Sequence, residues 1–180
     1  LITKVIYKLS RTAHFDIKYH SRYESLESEL QKFATPPYTI KDVAQAVINI
    51  RKIKMPDWNV VGTAGSIFKN PFVDKNKLVK LQTIIPELQA YPTEKMLYPT
   101  ADDKIFEKLD LVKIPAGRLL DFLGWRNKRV GNIGTYDKHA LVVVNYGETS
   151  GQKLFEFTES MRADVKKNFD IDLEYEVQVI

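Results

Sequence analysis

Gly62-Thr63-Ala64-Gly65-Ser66-Ile67-Phe68-Lys69-Asn70-Pro71 is the stretch around which this chain is read. Two glycines three positions apart approach a serine, an apolar pair follows, and Lys-Asn-Pro ends the run. Glycine admits backbone angles closed to other residues and lets a ligand come close to the main chain. The stretch is therefore either a strand bend with a buried or solvated serine, or a turn that holds the Ser66 hydroxyl toward a ligand. The Gly-Lys-Ser/Thr ending of a phosphate loop is missing, and so is the third glycine of a dinucleotide fingerprint. No Gly-x-Ser-x-Gly frames Ser66 as a nucleophile. A serine hydroxyl gives up its proton only to a strongly basic centre, such as a carbanion or enolate forming on a substrate.

Upstream, Thr39 and Asp42 form a capping box for a helix whose apolar stripe is Val43, Ala46, Val47 and Ile50. It runs out in Arg51-Lys52-Ile53-Lys54, where cations suit the negative end of the helix dipole. A shorter helix carries Leu26, Leu30 and Phe33 and closes before Pro36-Pro37, and residues 10–22 read as a loop. In residues 1–9, Leu1, Thr3, Val5, Tyr7 and Leu9 alternate with Lys4 and Lys8, the pattern of a half-buried strand. Downstream, Asp74 caps a helix with Leu78, Leu81 and Ile84, and residues 86–113 are loop-rich. Pro115 and Gly124 bracket a helix with Leu119, Leu120 and Leu123. Val130 to Tyr136, interrupted by two glycines, and Ala140 to Tyr146 read as strands. Ser150 caps a long helix with Leu154, Phe157, Met161 and Val165 on one face. A last strand spans Leu173 to Ile180. With no strict βαβ rhythm, the predicted class is α+β, a mixed sheet with packed helices.

The 180 residues suffice for one hydrophobic core, or a core domain plus a piece of another. No apolar run approaches the ~20 residues of a membrane helix. The chain opens on Leu1-Ile2-Thr3-Lys4 with neither Met nor signal peptide, and reads as a piece of a longer polypeptide. The absence of cysteine removes disulfides, thiolate metal sites and thiol nucleophiles, and fits a reducing cytoplasm. The net charge of +4 suits an anionic small ligand as well as nucleic acid. The tightest basic cluster, Arg126-Asn127-Lys128-Arg129, is a solvated loop or a phosphate contact. Stacking aromatics along a basic stripe, the mark of a nucleic-acid module, are missing, so a basic binding module without catalysis stands only as the alternative.

In Leu173-Glu174-Tyr175-Glu176-Val177, alternation sets Glu174 and Glu176 opposite Leu173, Tyr175 and Val177. Two acids on one strand face make a wet face, or place a carboxylic acid whose pKa burial raises beside a substrate anion. His14, His20 and His139 have no metal-ligand spacing, and no metal site is expected.

The glycine-serine stretch closely resembles the Gly-x-Ala-Gly-Ser-Phe-Phe-Lys-Asn-Pro motif of UDP-N-acetylenolpyruvoylglucosamine reductases. Further segments follow in that family's order: Arg51-x-x-Lys54-x-Pro56-Asp57 before it, Ala116-Gly117-x-Leu119-Leu120-Asp121 and Lys128-Arg129-Val130-Gly131 after it. His139-Ala140-Leu141-Val142 with Val144-Asn145 and then Leu173-Glu174-x-Glu176-Val177 complete the series. The resemblance implies the C-terminal part of a three-domain bacterial flavoenzyme of the cytoplasm. Residues 1–55 would end the FAD-binding domain, 56–168 would form the UDP-sugar domain, and 169–180 would return to the first domain as a strand. It implies FAD bound mostly by domains outside this chain, NADPH as reductant, and UDP-N-acetylglucosamine enolpyruvate as substrate. A monomer that touches neither membrane nor nucleic acid is expected, and this piece alone should not turn over. Ser66 would donate the proton, Glu176 would stabilise the aci-carboxylate, and Glu174 would be the wet-face acid. Lys54, Asn70, Tyr91 and Arg126 fall on positions that hold the UDP-sugar, Arg126 where a lysine is common. Tyr23, or Tyr19 in another register of the loop, resembles the tyrosine that covers the substrate, although Glu24 replaces the glycine that usually follows it. His139 and Gln178 stand where relatives can carry Gln and Arg.

Overall fold

The computed structural model describes residues 3–17, 25–92 and 111–179. They form two units, Leu1–Met55 and Pro56–Ile180. In the first, the Ser25 hydroxyl accepts from the Ser28 amide to start α1 (Leu26–Gln31). The expected Thr39–Asp42 capping box starts α2 (Ile40–Lys54), with Asp42 Oδ2 accepting from the Thr39 amide at 2.8 Å. Leu26, Leu30 and Ala46 make a small core, flanked by Val43, Tyr38 and Ile50. Glu29 is buried in this unit, and its carboxylate accepts from Asn49 Nδ2 and Lys32 Nζ, both at 2.8 Å. A charge taken out of water persists only with such partners.

The strand expected over residues 1–9 does not form in its described part, residues 3–9. Residues 3–10 have no regular structure, and Val5, Ile6, Tyr7 and Leu9 are exposed. Alternation marks a strand's side chains, but the strand itself exists only where a neighbour accepts its backbone hydrogen bonds. Among the described residues of this unit none does.

The second unit carries two antiparallel sheets and three helices among the described residues. One sheet has the order β1-β7-β6-β5, from β1 (Gly62–Ser66), β5 (Arg129–Val130), β6 (Ile133–Tyr136) and β7 (His139–Asn145). The other sets β4 (Leu111–Lys113) between β2 (Phe72–Asp74) and β3 (Tyr91–Pro92). Thus the segment read as loop-rich supplies two short strands. Helix α3 (Lys75–Ile84) starts at Asp74, whose carboxylate accepts from the Lys77 amide at 2.7 Å. Helix α4 (Ala116–Phe122) lies against β7, and α5 (Gly151–Phe169) packs beside it. Phe68, Leu120, Leu141, Phe157, Met161 and Leu173 fill the main core. The α+β class stands, with two antiparallel sheets among the described residues where a mixed sheet was expected.

The stretch read as one glycine-interrupted strand, Val130 to Tyr136, is a hairpin. Val130 pairs with Ile133 across a turn at Gly131-Asn132, with Gly131 at φ +58°. Gly134 serves a different purpose: a Cβ there would lie 2.9 Å from the Lys128 carbonyl oxygen. The last strand is also shorter than expected. Tyr175 bridges Phe68, but the pairing is confined to that place, and residues 177–179 are not strand.

Candidate active site

Ser66 ends β1 and owes its placement to a β-bulge. Thr63 stands opposite Val144 and Ser66 opposite Val142, three steps along β1 against two along β7. The extra residue is absorbed at Gly65, whose φ of +76° only glycine adopts without strain. Directly opposed residues share a face. Ser66 therefore joins Thr63, Val142 and Val144, whereas unbroken alternation would turn it toward the side of Leu141 and Val143 in the main core. The Thr63 hydroxyl fastens the bulge, donating to the Val143 carbonyl at 2.8 Å and accepting from the Gly65 amide at 3.1 Å. The Ser66 hydroxyl has no hydrogen-bond partner among the described residues, where no buried polar side-chain atom lacks one. It is therefore open to a ligand.

Directly after Ser66 the chain meets the C-terminal segment. The Glu176 amide donates to the Ile67 carbonyl at 2.9 Å, and the Lys69 amide to the Glu174 carbonyl at 2.8 Å. Between them Phe68 and Tyr175 pack with ring centroids 5.0 Å apart. Leu173, Tyr175 and Val177 face the core while Glu174 and Glu176 are exposed, as alternation predicted. The two acids then differ. Glu174 is ion-paired to Lys69. The Glu176 carboxylate has no side-chain partner among the described residues.

The segment is tied to α5 through Tyr175. Its hydroxyl donates to Glu159 Oε1 at 2.8 Å and shares a 2.7 Å hydrogen bond with the Thr158 hydroxyl. Arg162 donates to the Leu173 carbonyl at 2.9 Å and to Glu159 at 2.6 Å. The bond from Arg162, then that from Tyr175, holds the Glu159 carboxyl below its usual range. Burial pushes the Tyr175 phenol up. Sequence reading passed over Thr63 and Tyr175, since neither a threonine in a strand nor an inward tyrosine signals what it bonds to.

The other expected ligand residues have the following places. Asn70 Oδ1 accepts from the Ala116 amide at 2.9 Å, so this side chain holds the start of α4. Arg126 makes a two-pronged pair with Asp121, with Nε to Oδ1 at 2.9 Å. Tyr91 is half exposed and donates to Gln89 Oε1 at 2.9 Å. Lys54 is in the first unit, in the last turn of α2. Tyr23 and Tyr19 lie outside the described residues. His139 Nδ1 accepts from the Leu141 amide at 3.3 Å, and Gln178 is exposed. Lys69, Asn70 and Glu174 also line one side of a cleft of about 650 Å³, with Asp74, Lys77 and Asp170 beyond them. Among the described residues no cluster of His, Asp or Glu is arranged to hold a metal ion, and no helix is long and apolar enough to cross a membrane.

Residues 56–180, which contain the bulge, Ser66 and Glu176, match the family described as UDP-N-acetylenolpyruvoylglucosamine reductase, C-terminal domain. The chain belongs to that family. A Flavobacterium johnsoniae protein named UDP-N-acetylenolpyruvoylglucosamine reductase is 36% identical over 180 residues, covering 100% of this chain and 48% of its own length. A Bacteroides fragilis protein of the same name is 34% identical over 179 residues, 99% of this chain and 48% of the relative. One from Xanthomonas oryzae pv. oryzae is 35% identical over 158 residues, 88% of this chain and 43% of the relative. This chain thus spans about half the length of the curated relatives it matches.

Among the described residues, the N-termini of α2, α3 and α5 do not fit the diphosphate of a flavin dinucleotide. An anion needs free backbone amides there. At α2 and α3 the carboxylates of Asp42 and Asp74 occupy that end. At α5, Ser150 caps the helix and Glu148 Oε1 accepts from the Ser150 amide.

Proposed function

We propose that this chain is the substrate-binding half of a bacterial, cytoplasmic enzyme that reduces UDP-N-acetylglucosamine enolpyruvate to UDP-N-acetylmuramate, a peptidoglycan precursor. FAD reduced by NADPH would supply the hydride, with the flavin held by the half of the enzyme outside these residues. Residues 1–55 then close the FAD-binding domain and 56–168 form the sugar domain. Residues 169–180 run toward the first domain after pairing with residues 67–69.

The observation that carries this reading is the contrast between engaged and open polar groups. Thr63, Lys69, Asn70 and Glu174 are all hydrogen-bonded or ion-paired within the fold. Ser66 and Glu176, on paired neighbouring segments, keep a hydroxyl and a carboxyl open. Saturating the enolpyruvyl double bond takes a hydride at the terminal carbon and a proton at its neighbour. Negative charge builds on that neighbour, in conjugation with the carboxylate, which makes it basic enough to take a proton from a serine. Ser66 gives this proton, and Glu176 stabilises the carboxylate as its charge grows. Lys54, Asn70, Tyr91, Arg126 and Tyr23 are proposed to hold the UDP-sugar.

The test is Ser66→Ala in the full-length enzyme. Loss of one such group lowers kcat by roughly 10²–10³. Substrate affinity and NADPH-driven flavin reduction should be kept. Undiminished turnover in this variant would remove Ser66 from the chemistry and the reading with it.

A further inference from the structure

We infer that Thr63 is a positioning residue, whose hydroxyl sets the aim of Ser66 by locking the bulge between them. This rests on the reading of Ser66 as proton donor. A bulge is one of two ways in which β1 could meet β7. With one residue fewer between the pairing points, the register slips and every later side chain changes face. Ser66 would then point to the side of Leu141 and Val143 instead of the side of Val142 and Val144. Backbone pairing flanks the bulge, with the Ile67 amide donating to the Leu141 carbonyl at 3.0 Å, and one side chain bonds within it. Thr63 Oγ1 reaches the Val143 carbonyl on β7 and receives the Gly65 amide two residues ahead. It ties the strand before the extra residue to the neighbouring strand, and fixes the peptide that leads into Ser66. Gly65 alone cannot do this, because a glycine at φ +76° is permitted in that conformation and equally permitted in others. The hydroxyl turns an allowed conformation into the occupied one.

The geometric demand on a proton donor is strict: a displacement of about 1 Å can cost on the order of 100-fold in rate. Thr63→Val keeps the branched shape and deletes the hydroxyl, while Thr63→Ser keeps the hydroxyl and deletes the methyl. In the full-length enzyme Thr63→Val should lower kcat for substrate reduction by roughly 10- to 100-fold. KM and the rate of flavin reduction by NADPH should stay at the parent level, and Thr63→Ser should recover most of kcat. Adding Thr63→Val to Ser66→Ala should cause no further loss, since a hydroxyl that acts through Ser66 has nothing left to aim. A Thr63→Val enzyme with parental kcat, or a further 10-fold loss in the Ser66→Ala background, overturns the inference. Should Thr63→Val not fold, Thr63→Ala deletes the same hydroxyl with no steric demand. If that also fails to fold while Thr63→Ser folds, the hydroxyl serves folding alone and the inference falls. The two readings separate cleanly. A fully active Ser66→Ala enzyme sinks the proton-donor reading; a slow one beside an unimpaired Thr63→Val sinks only the role of Thr63.

Discussion

Replacing Tyr175 by phenylalanine removes one oxygen from the junction between α5 and the segment that carries Glu176. The ring contacts survive: Phe68 at 5.0 Å between centroids and Phe155 at 6.0 Å both need only the aromatic. Two hydrogen bonds are lost, to Thr158 and to Glu159. Their partners are not stranded. The single Thr158 hydroxyl proton, shared between Tyr175 and the Phe155 carbonyl at 2.9 Å, goes wholly to the carbonyl. Glu159 still accepts from Arg162 at 2.6 Å, so the net loss is one hydrogen bond. The cost therefore falls near the net value of a hydrogen bond, about 1 kcal/mol, and below the 3 kcal/mol of a buried group left unpaired. For a protein of this size that lowers Tm by about 2–4 °C, read by circular dichroism or calorimetry. Alkaline pH supplies an independent check. A phenol raised above its ordinary pKa, about 10, keeps its proton in the folded state after the unfolded chain has lost it. Stability then falls as pH climbs above about 10, and Tyr175→Phe should flatten that fall. A variant as stable as its parent, or one that loses more than about 3 kcal/mol, would refute the network as drawn.

Gly134→Ala forces a Cβ to within 2.9 Å of the Lys128 carbonyl oxygen and 3.4 Å of Arg129 Cα. Backbone on that side cannot give way freely, so a loss of about 1–3 kcal/mol is expected in thermal or denaturant unfolding. Unchanged stability would show that the β5–β6 hairpin has slack. Glu159 is held below its usual carboxyl range, first by Arg162. Its contribution to stability is present above about pH 4.3 and is lost as pH falls through the lower folded value. Glu159→Gln should therefore unfold with a shallower acid dependence below about pH 4, and an identical acid profile would count against the pair.

Short-range features were legible without coordinates. Thr39 with Asp42, Asp74 and Ser150 start helices where they were expected to, because a cap is a contract between residues three apart. The inward set Leu173, Tyr175 and Val177 followed from alternation, since a strand's two faces are decided by parity alone. The helices and the α+β class rest on the same local periodicity, although Phe33, Val47 and Ile84 of the expected apolar stripes are exposed, and the serine motif marked the place of the open hydroxyl.

Tertiary structure decided whatever depends on a partner distant in sequence. The alternating residues 3–9 form no strand among the described residues, because no neighbour takes their hydrogen bonds. Residues 130–136 fold back on themselves where one strand was expected. Asn70 caps α4 from 46 residues away, and Lys69 selects Glu174 over Glu176 across a separation of 105. Above all, the face presented by Ser66 could not be read from its own strand. One extra residue between Thr63 and Ser66 inverts the parity, and only the pairing of β1 with β7 counts that residue.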